Sequence, residues 1–171
     1  MKKLHIVINK DQVIRDVDAI TFKRVDGVMS DQSDSVRNAL SSDGEDVLDH
    51  KLLHRYMEGR DAEVRAKLAF CIIPEESDGD LVITNESLNE QPDFQFNLNV
   101  PDYFNKDSAM ALMQKIHRYF VDGVAYDWYM RQGVPYSVGA DDLDRMLTDI
   151  AVSLRKPFVK RPLQPFGPAT K

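Results

Sequence analysis

Phe94-Gln95-Phe96-Asn97-Leu98-Asn99-Val100 alternates apolar and polar residues without a break, and Pro101 stops it. Side chains of a strand point alternately to its two faces, so Phe94, Phe96, Leu98 and Val100 make one apolar face. That is the pattern of a strand with one side buried. The period then changes. Met113, Ile116, Phe120, Val124 and Trp128 recur at helical spacing and form the stripe of an amphipathic helix. Asp107 or Ser108 is placed to cap this helix, which is predicted to run to about Gln132 with Gly133 as its stop. A half-buried strand followed by a long helix sets the fold class as α+β.

Working toward the C-terminus, a second helix is predicted from Ala140 or Asp141. Asp141, Asp142 and Asp144 stand at its positive end and Arg155 and Lys156 at its negative end. Leu143, Met146, Leu147, Ile150 and Leu154 make its apolar face. The short connection from Gly133 to Gly139 suits an antiparallel helix pair. Beyond it, prolines at 157, 162, 165 and 168 forbid helix, so residues 156–171 read as an extended, basic arm on a single α+β domain, 1–155.

Working toward the N-terminus, Glu45 to about Ile73 is helical, with Leu48, Leu52, Tyr56, Val64, Leu68 and Ile72 at multiples of four and Pro74 ending it. Gly59 interrupts the pattern and Asp61 can cap a second helix, so one helix and two both fit. Leu4 to Ile8 and Ala19 to Val25 read as strands, with a turn at Asn9 to Asp11 between them and another at Asp26-Gly27. Residues 26–46 read as a loop with a helical turn at Ser35 to Leu40. Glu75 to Asp80 reads as a solvated turn and Leu81 to Thr84 as a short strand.

The 171 residues are 43% hydrophobic and 29% charged, an ordinary globular composition, and a chain of this size buries on the order of 70% of its unfolded surface. No segment approaches the ~20 apolar residues of a membrane span, and Leu4 to Ile8 is too short for a signal peptide. Cys71 is the single cysteine, so no intramolecular disulfide forms, and a reducing cytoplasm is the expected compartment. The net charge of −6 is unevenly spread. From Arg155 onward there are five basic residues and no acidic one, which leaves 17 basic against 28 acidic, a net of −11, in residues 1–154. Such a body repels phosphate backbones, so no specific nucleic-acid partner is expected.

Few residue groups carry chemistry. His50, His54 and Glu58 fall at i, i+4 and i+8 of a helix and could share a face as metal ligands, the one enzymatic alternative the sequence offers. Zincin chemistry needs Glu directly after the first His, and Lys51 stands there. The carboxylate pairs Asp43 with Glu45, Glu75 with Glu76 and Asp141 with Asp142 lie in turns or at a cap, not in the apolar pocket a general acid needs. The acidic turn at Ser77 to Glu86 puts Pro74 where a calcium loop has its first ligand. Apolar neighbours raise the pKa of Cys71 instead of activating it. Phosphate loops, GxSxG elbows and CxxC pairs are absent from the sequence, and no cofactor is expected.

Surfaces for partners are better marked. Tyr119, Phe120, Tyr126, Trp128 and Tyr129 crowd one helix, and Tyr126 and Tyr129, off its stripe, are expected to contact another subunit. In the arm, Phe158, Leu163 and Phe166 are apolar anchors between Lys160 and Arg161. Such a strap suits the acidic body of a neighbouring copy, or, in a monomeric regulatory module, a partner domain that reads the stretch Arg161 to Pro168.

From about residue 94 to 166 the order of elements resembles that of a known family. It runs from Asn97-Leu98-Asn99-Val100-Pro101 through Ile116-His117-Arg118-Tyr119-Phe120-Val121 and Ala125-Tyr126-Asp127-Trp128-Tyr129. A second helix and the tail Arg155-Lys156-Pro157-Phe158-Val159-Lys160-Arg161-Pro162-Leu163-Gln164-Pro165-Phe166 complete it. This is similar to the small head-to-tail connector, or adaptor, proteins of tailed bacteriophages and prophages. The resemblance implies a non-enzymatic virion protein, assembled in the host cytoplasm as an oligomeric ring between portal and tail proteins, with extended segments bridging neighbours. It does not reach residues 1–93.

Overall fold

The computed structural model of the protein describes residues 1–28, 47–73 and 93–155, with the backbone alone for 22–28 and 47–50. The expected turns and strand between 75 and 84, the helical turn at 35–40 and the arm 156–171 lie outside those residues. The described elements are β1 (Lys2–Asn9), α1 (Lys10–Val28), α2 (Val47–Leu68), β2 (Asp93–Val100), α3 (Lys106–Arg131) and α4 (Ala140–Arg155). The class is α+β, with helices covering one face of a small antiparallel sheet.

β1 and β2 take the places the alternation predicts. They pair antiparallel from Lys2↔Val100 to Asn9↔Asp93, which brings Leu4, Ile6 and Ile8 onto the same face as Phe94, Phe96, Leu98 and Val100. All of these but Leu4 are buried. The second expected strand, Ala19 to Val25, is instead part of α1. Val13, Val17 and Thr21 are buried at four-residue steps, a helical row that starts upstream of the β-branched stretch and carries through it. Asn9 begins the helix where a turn was expected, its Oδ1 accepting the Gln12 N–H at 2.9 Å, and the helix continues through Asp26-Gly27.

α2 is one helix, unbroken at Gly59. Its buried row is Leu53, Met57, Val64 and Leu68, with Leu52 and Tyr56 on the margin, because a strict four-residue row drifts around a helix of 3.6 residues per turn. It ends at Leu68, ahead of the expected Ile73. The chain turns there, and residues 71–73 run beside β2: the Ile73 N–H donates to the Asn97 carbonyl at 2.8 Å and the Asn99 N–H to the Cys71 carbonyl at 2.7 Å.

These two bonds fix the parity of the sheet. Odd-numbered residues of β2 turn their backbone groups toward residues 71–73, so the even-numbered ones bond to β1. Through the register, Lys2, Leu4, Ile6 and Ile8 are the β1 residues bonded to β2. The N–H and C=O groups of Lys3, His5 and Val7 therefore point to the opposite edge. Among the described residues nothing pairs with them.

α3 is the hub, in contact with α1, α2, α4 and β1. Its N-cap is Asn105 and not Asp107 or Ser108; the Asn105 side chain accepts the Ser108 N–H at 2.8 Å. Gly133, with φ of +69°, closes the other end as expected, a left-handed position that favours glycine. α4 starts at Ala140, where the Asp142 carboxylate accepts the Gly139 N–H at 3.1 Å. It returns antiparallel along α3, joined by a bond from Lys115 Nζ to Ser153 Oγ of 2.7 Å. Leu143, Ile150 and Leu154 are buried, with Met146 and Leu147 partly so.

Candidate functional site

A helix packed on several sides buries more than one stripe. From Tyr119 to Ala125 every residue of α3 is buried, and so are Trp128 and Tyr129. This corrects the expectation that Tyr129 lies off the core. It is 1% exposed, its ring stacks on Tyr136 at 5.3 Å, and its hydroxyl donates to the Thr21 carbonyl at 3.3 Å. Helix α1, which periodicity had not shown, lies over that side. Tyr126 is half-buried and packs against the core, leaving part of its ring on the surface.

Between α2 and α3 lies a polar cluster that the sequence reading did not single out. The Arg60 side chain, 12% exposed, donates to both oxygens of Asp127, at 3.1 and 2.6 Å, and to Glu63 at 2.9 Å. The Tyr119 hydroxyl donates to the same Glu63 carboxylate. Gly123 makes the approach possible: a Cβ there would stand 2.8 Å from Cδ and Nε of Arg60. A glycine in the middle of an apolar helix, four residues before an aspartate, was the available signal.

Burial opposes the Arg60 charge, but its hydrogen bonds and the charges of Asp127 and Glu63 outweigh burial and hold the guanidinium above its usual range. Burial also raises the Asp127 carboxyl, against the pull of Arg60. The Tyr119 hydroxyl is pushed up to about 12, first by burial and then by its bond to Glu63. Each donor nitrogen of Arg60 is engaged by a carboxylate. The cluster therefore sets the packing of α2 on α3 and offers no cation to an incoming anion.

The histidine trio is only partly in view. His54 and Glu58 are half-buried on α2, and the His50 side chain lies outside the described residues. Among the described residues no group of three His, Cys, Asp or Glu is arranged to hold a metal ion. Cys71 is buried, its thiol donating to the Leu68 carbonyl at 3.2 Å. Burial pushes its pKa up to about 11, against the lowering influence of Arg155, which keeps it a thiol at neutral pH.

The root of the arm is described, although Phe158, Lys160, Arg161, Leu163 and Phe166 are not. Arg155 closes α4 with its guanidinium carbon 4.3 Å from the centre of the Phe70 ring. Phe70 is 49% exposed, an aromatic surface directly where the basic segment leaves the body. No helix among the described residues is long and apolar enough to cross a membrane. Compared with protein-family models, with curated proteins and with solved structures, the chain matches none.

Proposed function

We propose that this protein is a structural assembly subunit of the head-to-tail connector kind, in which copies form an oligomeric ring between the portal and tail of a phage particle. The C-terminal arm is the strap between neighbours. The observation that carries the reading is the division of charge and form at Arg155. An acidic body of net −11 ends in a helix, and the chain continues with prolines at 157, 162, 165 and 168 and no acidic residue. Like-charged bodies repel, and a basic extended segment on each offsets that repulsion when it lies on the next body. Phe158, Leu163 and Phe166 would supply the apolar anchors, and the Phe70–Arg155 contact sets the arm's point of departure. Tyr126 remains a candidate for the contact surface; Tyr129, being core, does not.

Sedimentation of the full chain and of a chain ending at Leu154 tests this. Species larger than a dimer are expected for the full chain, weakened by salt and lost on truncation. If truncation leaves the mass distribution unchanged, with and without a portal ring present, the strap reading is wrong.

A further inference from the structure

β1 is basic at its start and uncharged from Leu4 to Asn9, and among the described residues its outer edge is open. Lys2 and Lys3 begin the strand; at its other end Asn9 is paired with Asp93, and Asp11 follows in the first turn of α1. Along the edge, Lys3, His5 and Val7 turn their N–H and C=O groups outward, and Val7 is 42% exposed. Leu4, on the inner face, is only half-buried, whereas Ile6 and Ile8 are buried.

We infer that this edge pairs with β1 of a second copy, antiparallel about a two-fold axis at His5, joining two small sheets into one. In that register Lys3 lies opposite Val7 of the second copy, His5 opposite its counterpart, and Val7 opposite Lys3. Every outward group of the three residues then finds a partner, because two residues that both face the edge exchange both of their bonds. A two-fold interface of this kind satisfies both copies with one surface. The antiparallel direction also keeps the two Lys2-Lys3 pairs at opposite ends of the joined strands, each toward the end where the other copy's chain continues into Lys10 and Asp11. Parallel pairing would instead stack Lys3 on Lys3, which like charge disfavours. On the inner face Leu4 comes opposite Ile6 of the second copy and gains apolar cover.

Lysines and prolines are the usual means of blunting an exposed edge. Here the lysines stand at one end and leave His5 and Val7 clear, so pairing is restricted in register without being abolished. The protein's own arm suits this edge poorly, since its prolines lack ladder donors and its charges would face Lys2 and Lys3. The pairing goes beyond the connector reading and does not use the arm.

Hydrogen exchange of the full chain, read at the amides of Lys3, His5 and Val7 from about 1 μM to about 1 mM, tests it. Protection should rise with concentration at these three amides, together with dimer mass in sedimentation. Val7→Pro removes an outward donor from each copy without touching the β1–β2 ladder and should weaken the dimer about tenfold or more. His5→Pro removes the central outward donor, together with the side-chain bond from His5 to Asn97, and either variant serves if the other folds poorly. Three outcomes overturn the inference: fast exchange at all concentrations, full protection at a concentration where the protein sediments as a monomer, or a dimer indifferent to both proline variants.

Discussion

The outer edge of β2 is met at three successive outward residues: the Gln95 carbonyl accepts from Arg65 at 2.9 Å, the Asn97 carbonyl from Ile73, and the Asn99 N–H donates to Cys71. Arg65 also lies over the Phe96 ring at 4.9 Å and bonds to Asp61 at 2.7 Å, so the closing group is itself held. The outer edge of β1 presents the N–H and C=O groups of Lys3, His5 and Val7, and among the described residues nothing pairs with those groups. Both strands are eight residues long and share one buried face. The difference shows that burial of a strand's inner face and closure of its edge are separate matters. The first stabilises the monomer, while the second decides what else can be added to it.

That contrast can be broken most sharply at neighbouring positions. Ile6→Pro strikes the bonded side of β1 and removes a buried side chain; it should lower unfolding free energy by about 3 kcal/mol or more in a urea titration. Val7→Pro, one residue along, should stay within about 1 kcal/mol of the parent for the monomer. Equal losses would show the parity of the ladder to be wrong.

A loss on the order of 2 kcal/mol is expected at the closed edge when alkali ionises Cys71. Its folded pKa of about 11 lies above the ordinary 9.0, so its contribution is fully present below pH 9.0 and lost as pH rises through about 11. Thermal melts across that window should fall more steeply for the parent than for Cys71→Ala.

Arg65→Ala opens the closed edge from the helix side. It leaves the Gln95 carbonyl to water and deprives Asp61, already raised by burial, of its partner. A destabilisation of about 1–2 kcal/mol is expected, with loss of protection at residues 71–73 in hydrogen exchange. The smallest effect belongs to Lys3→Glu on the open edge. Monomer stability should change by no more than about 0.5 kcal/mol, and chemical denaturation of dilute protein checks it.

Much of this architecture was legible in local period. β2, the limits of α3 at Gly133 and of α4 at Ala140, and the inward face of α4 all follow from spacing and capping, which act over a few residues. α1 was missed because the β-branched run around Ile20 and Thr21 resembles a strand when the row through Val13 and Val17 is left out. Tyr129 was misplaced because a stripe assigns one buried face, whereas α3 is enclosed by three helices and a strand. The Arg60 cluster was hidden for a similar reason: its members come from two helices, and only Gly123 betrayed the close approach.

The sequence by itself determined the alternation of β2, the helical pair that follows it, and the change of charge and backbone at Arg155, since each is a property of neighbouring residues. Only the tertiary structure decided that β1 and β2 pair, with His5 and Asn97 92 residues apart joined at 2.7 Å, and that among the described residues one edge of the resulting sheet is met and the other is open. Period records which face of a strand is buried. It carries no record of which edge is bonded, because every residue has the same N–H and C=O to offer and the partner is chosen by the fold around it.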